Sequence, residues 1–132
     1  MTLSDAGSPA RTQRRVRHAA LLVVVEDIFV RCGMRADDAH YLTSTLVDAD
    51  LRGVHSHGVL RVPEYVKKLT VGGVDPLGTP SVVRDSGACL VVDGGNSMGQ
   101  IGARFAMEAA IQRAKTTGIS GTSRPPSAAC SR

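Results

Sequence analysis

The sequence predicts an α/β protein of the α+β kind, a mostly helical N-terminal region with one β-hairpin, and three observations predict it. Apolar residues recur at three- and four-residue spacing in three stretches, two short β-rich runs flank a polar turn, and glycine stands just past each helical stretch. The 132 residues are 42% hydrophobic, enough for a modest core without disulfides or metal.

Residues 1–15, rich in small and polar side chains, have nothing to bury and read as a flexible leader. A first helix follows over about Val16–Cys32. Val23, Val24 and Val25 would also suit a strand, but the length, the apolar residues at Ala20, Val24 and Ile28, and Gly33 beyond the end favour helix. Asp37 and Asp38 put negative charge at the positive dipole end of a second helix, whose apolar face (Ala39, Leu42, Leu46, Ala49) runs to near Gly53. Gly72, Gly73, Pro76, Gly78 and Pro80 argue against regular structure over 72–80. Ser81–Arg84 and Cys89–Val92, separated by Asp85-Ser86-Gly87-Ala88, read as a hairpin closed by Gly94 and Gly95. From Met98 to Thr117, Ile101, Phe105 and Ala109 recur every fourth residue among further alanines, a helix ended at Gly118. Ile119 and Ser120 read as the first step of a strand, after which residues 121–132 have no periodicity and are expected to be disordered. The domain is therefore placed at 16–120.

The formal net charge of +4 suggests an anionic partner until it is located along the chain. Residues 1–17 hold four Arg and one Asp, and 121–132 hold two Arg, leaving 10 basic and 11 acidic residues between. Arg11, Arg14, Arg15 and Arg17 are then a solvated leader, and a nucleic-acid partner is not expected. Scarce aromatics (Phe29, Phe105, Tyr41, Tyr65, no Trp) also disfavour a base-stacking surface. Cys32, Cys89 and Cys130 are odd in number and lack metal-ligand spacing, which points to a reducing compartment, the cytoplasm. The apolar run Ala19–Val25 falls far short of the roughly 20 residues that span a membrane. No small-residue cleavage site follows it, so it does not read as a signal peptide.

The chemistry lies in Ala49 to Tyr65. Gly53 ends one helix and Gly58 lies near the start of the next, so His55, Ser56 and His57 sit on the bend between them. If the chain is helical from His57 onward, His57, Arg61 and Tyr65 share one face within an arc of about 80°. Arg61 can then hold a carboxylate bidentately, His57 can donate a hydrogen bond or proton to a neighbouring oxygen, and Tyr65 and Ser56 can fix orientation. Pro63 is comfortable only in a first helical turn, so a start nearer Leu60, with His57 on the preceding loop, is the other arrangement. The same spacing also suits an ordinary surface pair, Arg61 and Tyr65, beside a loop histidine. An H-x-H metal pair, His55 and His57, needs further ligands such as Asp48 or Asp50. A nucleophilic Ser56 is disfavoured because sequence neighbours rarely face each other and no strand-turn-helix elbow is present. The Gly-rich turn from Asp93 to Gln100 opens a helix and has the form of a phosphate loop, but it departs from G-x-G-x-x-G and reads better as a plain turn.

At these residues the sequence resembles the malate/L-lactate dehydrogenase family, the group that includes ureidoglycolate dehydrogenase and Δ1-piperideine-2-carboxylate reductase. The likeness runs from about Ala20 to Ser120. It is carried by Asp37-Asp38-Ala39, Ala49-Asp50-Leu51-Arg52-Gly53-Val54, Ser56-His57-Gly58-Val59, Arg61, Tyr65, Val92-Asp93-Gly94 and Gly99-Gln100. It implies an NAD(P)-dependent dehydrogenase of small 2-oxo or 2-hydroxy acids, commonly a homodimer, with Ser56, His57, Arg61 and Tyr65 as substrate-binding residues. His57 is the candidate catalytic residue on this chain. In the family, the strand after Gly118-Ile119 leads to an Asn-Ser-x-His motif, whose His is the acid/base, and then to a nicotinamide-binding region. This chain instead reads Gly121-Thr122-Ser123-Arg124-Pro125-Pro126, as a truncated or out-of-frame member would, and is expected to be inactive alone. The alternative is a small non-enzymatic interaction module with a basic N-terminal arm.

Overall fold

The computed structural model describes residues 15–125; the leader before them and the tail from 126 lie outside the described residues. Four α-helices and a three-stranded sheet follow in chain order: α1 (His18–Arg31), α2 (Ala36–Leu51), α3 (Val62–Thr70), β1 (Ser81–Ser86), β2 (Cys89–Asp93), α4 (Gly99–Thr117) and β3 (Gly121–Ser123). Two single 3₁₀ turns, His55–His57 and Val59–Arg61, bridge α2 and α3.

The helix expected over Val16–Cys32 forms, but it buries a different face. Val24 is 57% exposed, whereas Val25 and Phe29 enter the core with Leu21, Ile28 and Cys32 packed around them. These positions recur at the three- and four-residue steps of a helical stripe. α2 follows the expected pattern, with Ala39, Leu42 and Leu46 essentially inaccessible, and the core continues through Val62 and Leu69 of α3 to Met98 and Ile101 at the head of α4. Complete burial of a side chain such as Phe29, Leu42 or Leu46 stabilises by about 1.5–3 kcal/mol, so these three anchor the helical layer.

The expected hairpin is present: β1 and β2 pair antiparallel, with Val82 opposite Val92, Asp85 opposite Leu90, and an irregularity between Val82 and Arg84. Residues 72–80 form no helix or strand. Their glycines serve a close backbone approach, since a Cβ on Gly78 would lie 2.4 Å from the Gly95 carbonyl oxygen and one on Gly95 would lie 2.2 Å from that of Thr79.

After β2 the chain crosses over through α4 and returns as β3, parallel to β2, with Leu90 opposite Thr122. Parallel pairing needs such a crossover, so β2, α4 and β3 form a βαβ unit. The expectation of disorder from Gly121 is therefore corrected for Gly121–Ser123, which form β3. The strand seeded at Ile119 and Ser120 is realised one step later, and Gly121 N–H donates to the Ala88 carbonyl at 2.9 Å. Cys32 and Cys89 are free thiols. Among the described residues, no helix is long and apolar enough to cross a membrane.

Candidate functional site

The bend between α2 and α3 is folded around one carboxylate. Asp50, in the last turn of α2, accepts the backbone N–H of Val59 on Oδ2 at 2.8 Å and shares a 2.9 Å hydrogen bond between Oδ1 and His55 Nδ1. Gly58 lies against it so closely that a Cβ there would stand 2.1 Å from Asp50 Oδ1. Glycine is therefore a steric requirement of this turn. Partial burial pushes the Asp50 carboxyl up, but the Val59 N–H and the hydrogen bond and charge of His55 outweigh it and hold the group below the usual carboxylate range.

The turn held by Asp50 carries Ser56 and His57 at the surface. Ser56 Oγ lies 3.0 Å from His57 Nδ1, and the Ser56 carbonyl accepts Arg61 Nε–H at 2.7 Å. Ser56 thus ties the imidazole and the guanidinium together. Arg61 also binds Glu64 at 3.0 Å, and Lys68 reaches the same carboxylate at 2.8 Å. Lys68 and then Arg61 hold the Glu64 carboxyl below its ordinary range. Tyr65 is half-buried against the core, its hydroxyl accepts Gln100 Nε2–H at 3.0 Å, and Lys68 stands 5.8 Å from its ring centroid.

Three of the four expected residues are therefore joined, and the fourth is bonded instead to the head of α4. The single helix considered from His57 onward does not form. α3 starts at Val62, with Pro63 in its first turn where a missing N–H costs nothing, and His57 lies on the 3₁₀ turn before it. The view that neighbouring Ser56 and His57 do not face each other is also corrected, because the 3₁₀ turn brings Oγ and Nδ1 into hydrogen-bond range. His55 spends Nδ1 on Asp50, and no cluster of three or more metal-ligating side chains occurs among the described residues.

Chemically, the trio suits a small anion. When Ser56 donates to Nδ1, the His57 proton resides on Nε2, which then donates outward; in the other tautomer Nε2 accepts. Arg61 has five donors and uses two of its nitrogens here, so N–H groups remain for a carboxylate. Asp50, Glu64 and Gln100 are the contributors that reading the sequence missed as such. Asp50 did leave a signal, an acidic side chain in the last turn of a helix, where the dipole disfavours it.

A cavity of about 550 Å³ lies elsewhere, between the Asp93–Met98 turn, α4 and β3, lined by Asn96, Ala103, Ala106 and Arg124 among others. The imidazole and guanidinium instead converge at Ser56, on its Oγ and its carbonyl. The Asp93–Met98 turn does not fit a phosphate: Gly95 N–H is spent on Asp93 Oδ1 at 3.0 Å, Ser97 N–H on the Gly94 carbonyl at 3.0 Å, and Asp93 itself is anionic.

A sequence profile described as malate/L-lactate dehydrogenase matches residues 16–125. The chain belongs to that family. Within the malate/L-lactate dehydrogenase family it is 36% identical over 96 residues to L-sulfolactate dehydrogenase of Methanocaldococcus jannaschii, covering 73% of this chain and 28% of that protein. It is 31% identical over 107 residues to the NAD(+) ureidoglycolate dehydrogenase of Escherichia coli K12, covering 80% and 30%. The solved structure of malate dehydrogenase from Pyrococcus horikoshii OT3 superposes with a TM-score of 0.81 at 34% identity, over 84% of this chain and 32% of that one. The family fold is thus shared, and the chain spans less than a third of the length of these relatives. Membership lends no support to the interaction-module alternative, and Arg11 and Arg14 of its basic arm lie outside the described residues.

Proposed function

We propose that this chain forms the substrate-facing part of an NAD(P)-dependent oxidoreductase that transfers hydride to or from C2 of a small 2-oxo or 2-hydroxy acid. The observation that carries this reading is the junction at Ser56, which binds His57 through Oγ and Arg61 through its carbonyl. Arg61 takes the substrate carboxylate, His57 exchanges a hydrogen bond or proton with the oxo or hydroxy oxygen, and Ser56 and Tyr65 set orientation. The named relatives act on sulfolactate, malate and ureidoglycolate, as their names say, and all three are small carboxylates. The nicotinamide cofactor supplies the hydride when bound. The turn with the form of a phosphate loop does not fit it, so its site belongs to the part of the family fold that this chain does not span. In this reading the protein works in the cytoplasm as a homodimer, takes NAD or NADP, and has no turnover as the isolated chain.

Two assays test the reading. The chain alone, given NADH or NADPH with pyruvate, oxaloacetate or an oxo-acid relative of ureidoglycolate, is expected to oxidise no cofactor; robust turnover would overturn its inactivity. Replacing the matching segment of the P. horikoshii malate dehydrogenase by residues 16–125 is expected to give an active chimera. In that chimera His57→Ala and Arg61→Ala each lower kcat/KM by about a hundredfold or more. A folded, active chimera indifferent to both substitutions would sink the assignment.

A further inference from the structure

Tyr65 and Gln100 stand 35 residues apart in the chain and meet through one hydrogen bond, in which Gln100 Nε2–H donates to the phenol oxygen at 3.0 Å. Both ends are anchored. Tyr65 packs against the core from α3, and Gln100 sits at the head of α4 between Met98 and Ile101, whose side chains are buried in that core. The ring also lies beside the cluster that holds Arg61. Lys68 is 5.8 Å from the ring centroid and 2.8 Å from Glu64, and Glu64 is 3.0 Å from Arg61. A phenol has one proton to donate and lone pairs to accept with. The amide takes a lone pair, and no hydrogen bond among the described residues takes the proton.

We propose that Gln100 is a positioning residue for the reaction: it fixes the Tyr65 hydroxyl as an acceptor toward α4, so that the phenolic O–H donates a hydrogen bond to the oxygen on C2 of the substrate. The inference rests on the proposed function and deepens it, because it gives the phenol a direction. Hydride arriving at C2 of an oxo acid turns the carbonyl oxygen toward an alkoxide. A donor already aimed at that oxygen binds it more tightly in the transition state than in the ground state. Tyr65 keeps its proton throughout, and proton exchange stays with His57. Gln100→Glu reverses the arrangement, since a carboxylate only accepts and claims the phenolic proton, leaving lone pairs toward the substrate oxygen.

The first measurement needs no activity. The chain has two tyrosines and no tryptophan, so Tyr41→Phe leaves Tyr65 as the sole reporter. The intensity ratio of the tyrosine Fermi doublet in the ultraviolet resonance Raman spectrum separates a phenol that accepts from one that donates. The full chain carrying Tyr41→Phe is expected to give the accepting pattern, and adding Gln100→Glu the donating one. Gln100→Met takes the place of Gln100→Glu if circular dichroism shows the latter unfolded, and is expected to lose the accepting pattern. A donating pattern with Tyr41→Phe alone, or a pattern that neither change moves, overturns the proposal. The second measurement uses the active chimera. There, Tyr65→Phe lowers kcat for oxaloacetate by about two- to tenfold, the worth of one hydrogen bond, and Gln100→Glu lowers it at least as far, with KM changed less in each. Adding Gln100→Glu to Tyr65→Phe costs no more than about twofold further, because the side chain at 100 acts through the hydroxyl. Equal losses from Gln100→Glu with and without the hydroxyl would show a charge or packing effect and overturn the proposal while leaving the role of Tyr65 intact. A chimera indifferent to Tyr65→Phe, with the Raman patterns as expected, would remove Tyr65 from the proposed function and this inference with it.

Discussion

The carboxylate of Asp50 receives the backbone N–H of Val59 at 2.8 Å, nine residues along the chain and across a change of element. That bond joins the last turn of α2 to the 3₁₀ turn that leads into α3, and the segment it closes holds Ser56, His57 and Gly58. The second oxygen binds His55, so both acceptor sites act inside the bend. Arg61, the last residue of the second 3₁₀ turn, then closes on the Ser56 carbonyl. A side chain with no proposed contact to substrate thus sets the position of two that have one.

Removing either half of this contact is expected to loosen the bend. Asp50→Ala leaves the Val59 donor half-buried without its charged partner and costs about 1.5–3 kcal/mol. Gly58→Ala drives a methyl group into the carboxylate, an overpacking that costs about 1–3 kcal/mol and displaces Asp50. Urea denaturation measures both. Because the two lesions share one interaction, the double variant should lose clearly less than the sum of the single losses. Additive losses would show that Gly58 and Asp50 act independently.

The same carboxylate gives a pH signature. The folded state holds Asp50 below its ordinary pKa, so it binds fewer protons there than the unfolded state. The resulting stability is complete above the ordinary carboxylate pKa, about 4, and is lost as pH falls through the lower folded value. Asp50→Asn retains an acceptor for Val59 but does not titrate. The gap in melting temperature between wild type and Asp50→Asn should therefore narrow as the pH falls below about 4. A gap independent of pH down to the acid limit would remove Asp50 from this role.

How much of the fold is legible in the sequence follows from which forces are local. α2, α4 and the hairpin are written in periodicity and glycine placement, and they appear where expected. The buried face of α1 is not legible, because a helix with valine on both sides leaves the choice to its neighbours α2 and α3. β3 escapes a reading of the sequence for a related reason. Gly121-Thr122-Ser123 has little strand preference of its own, and its pairing to Cys89–Val91 is imposed by the crossover through α4. At the site, the residue types at Ser56, His57 and Arg61 are informative. Their junction runs through a backbone carbonyl, which no side-chain spacing encodes.

Thr43 is fully buried in α2, and its hydroxyl has no hydrogen-bond partner among the described residues. A buried, unpaired hydroxyl costs about 1–3 kcal/mol, and valine has nearly the same shape without the polar atom. Thr43→Val is therefore expected to raise stability by about 1 kcal/mol, read as a higher urea midpoint at unchanged slope. A loss of stability would mean that the hydroxyl is satisfied, for instance by an internal water. By contrast, Phe29→Ala, at the same depth, should cost about 3–5 kcal/mol through the cavity it leaves.

Glu64 is a built-in competitor for Arg61. Its carboxylate holds Arg61 at 3.0 Å and Lys68 at 2.8 Å, and under the proposed function the substrate carboxylate takes the same guanidinium. The pair is exposed, and ion pairs of that kind are worth about 0–1 kcal/mol, which caps the competition at about fivefold. In the active chimera, Glu64→Gln should therefore lower KM for oxaloacetate by no more than about fivefold with kcat nearly unchanged, because an ion pair that opens before chemistry alters binding alone. Arg61→Lys should act in the opposite direction and more strongly, since a lysine cannot bind the Ser56 carbonyl and a carboxylate in one planar fork. Steady-state kinetics on the two variants separates the effects. An increase in KM on Glu64→Gln would show that Glu64 holds Arg61 in its working position and does not compete for it.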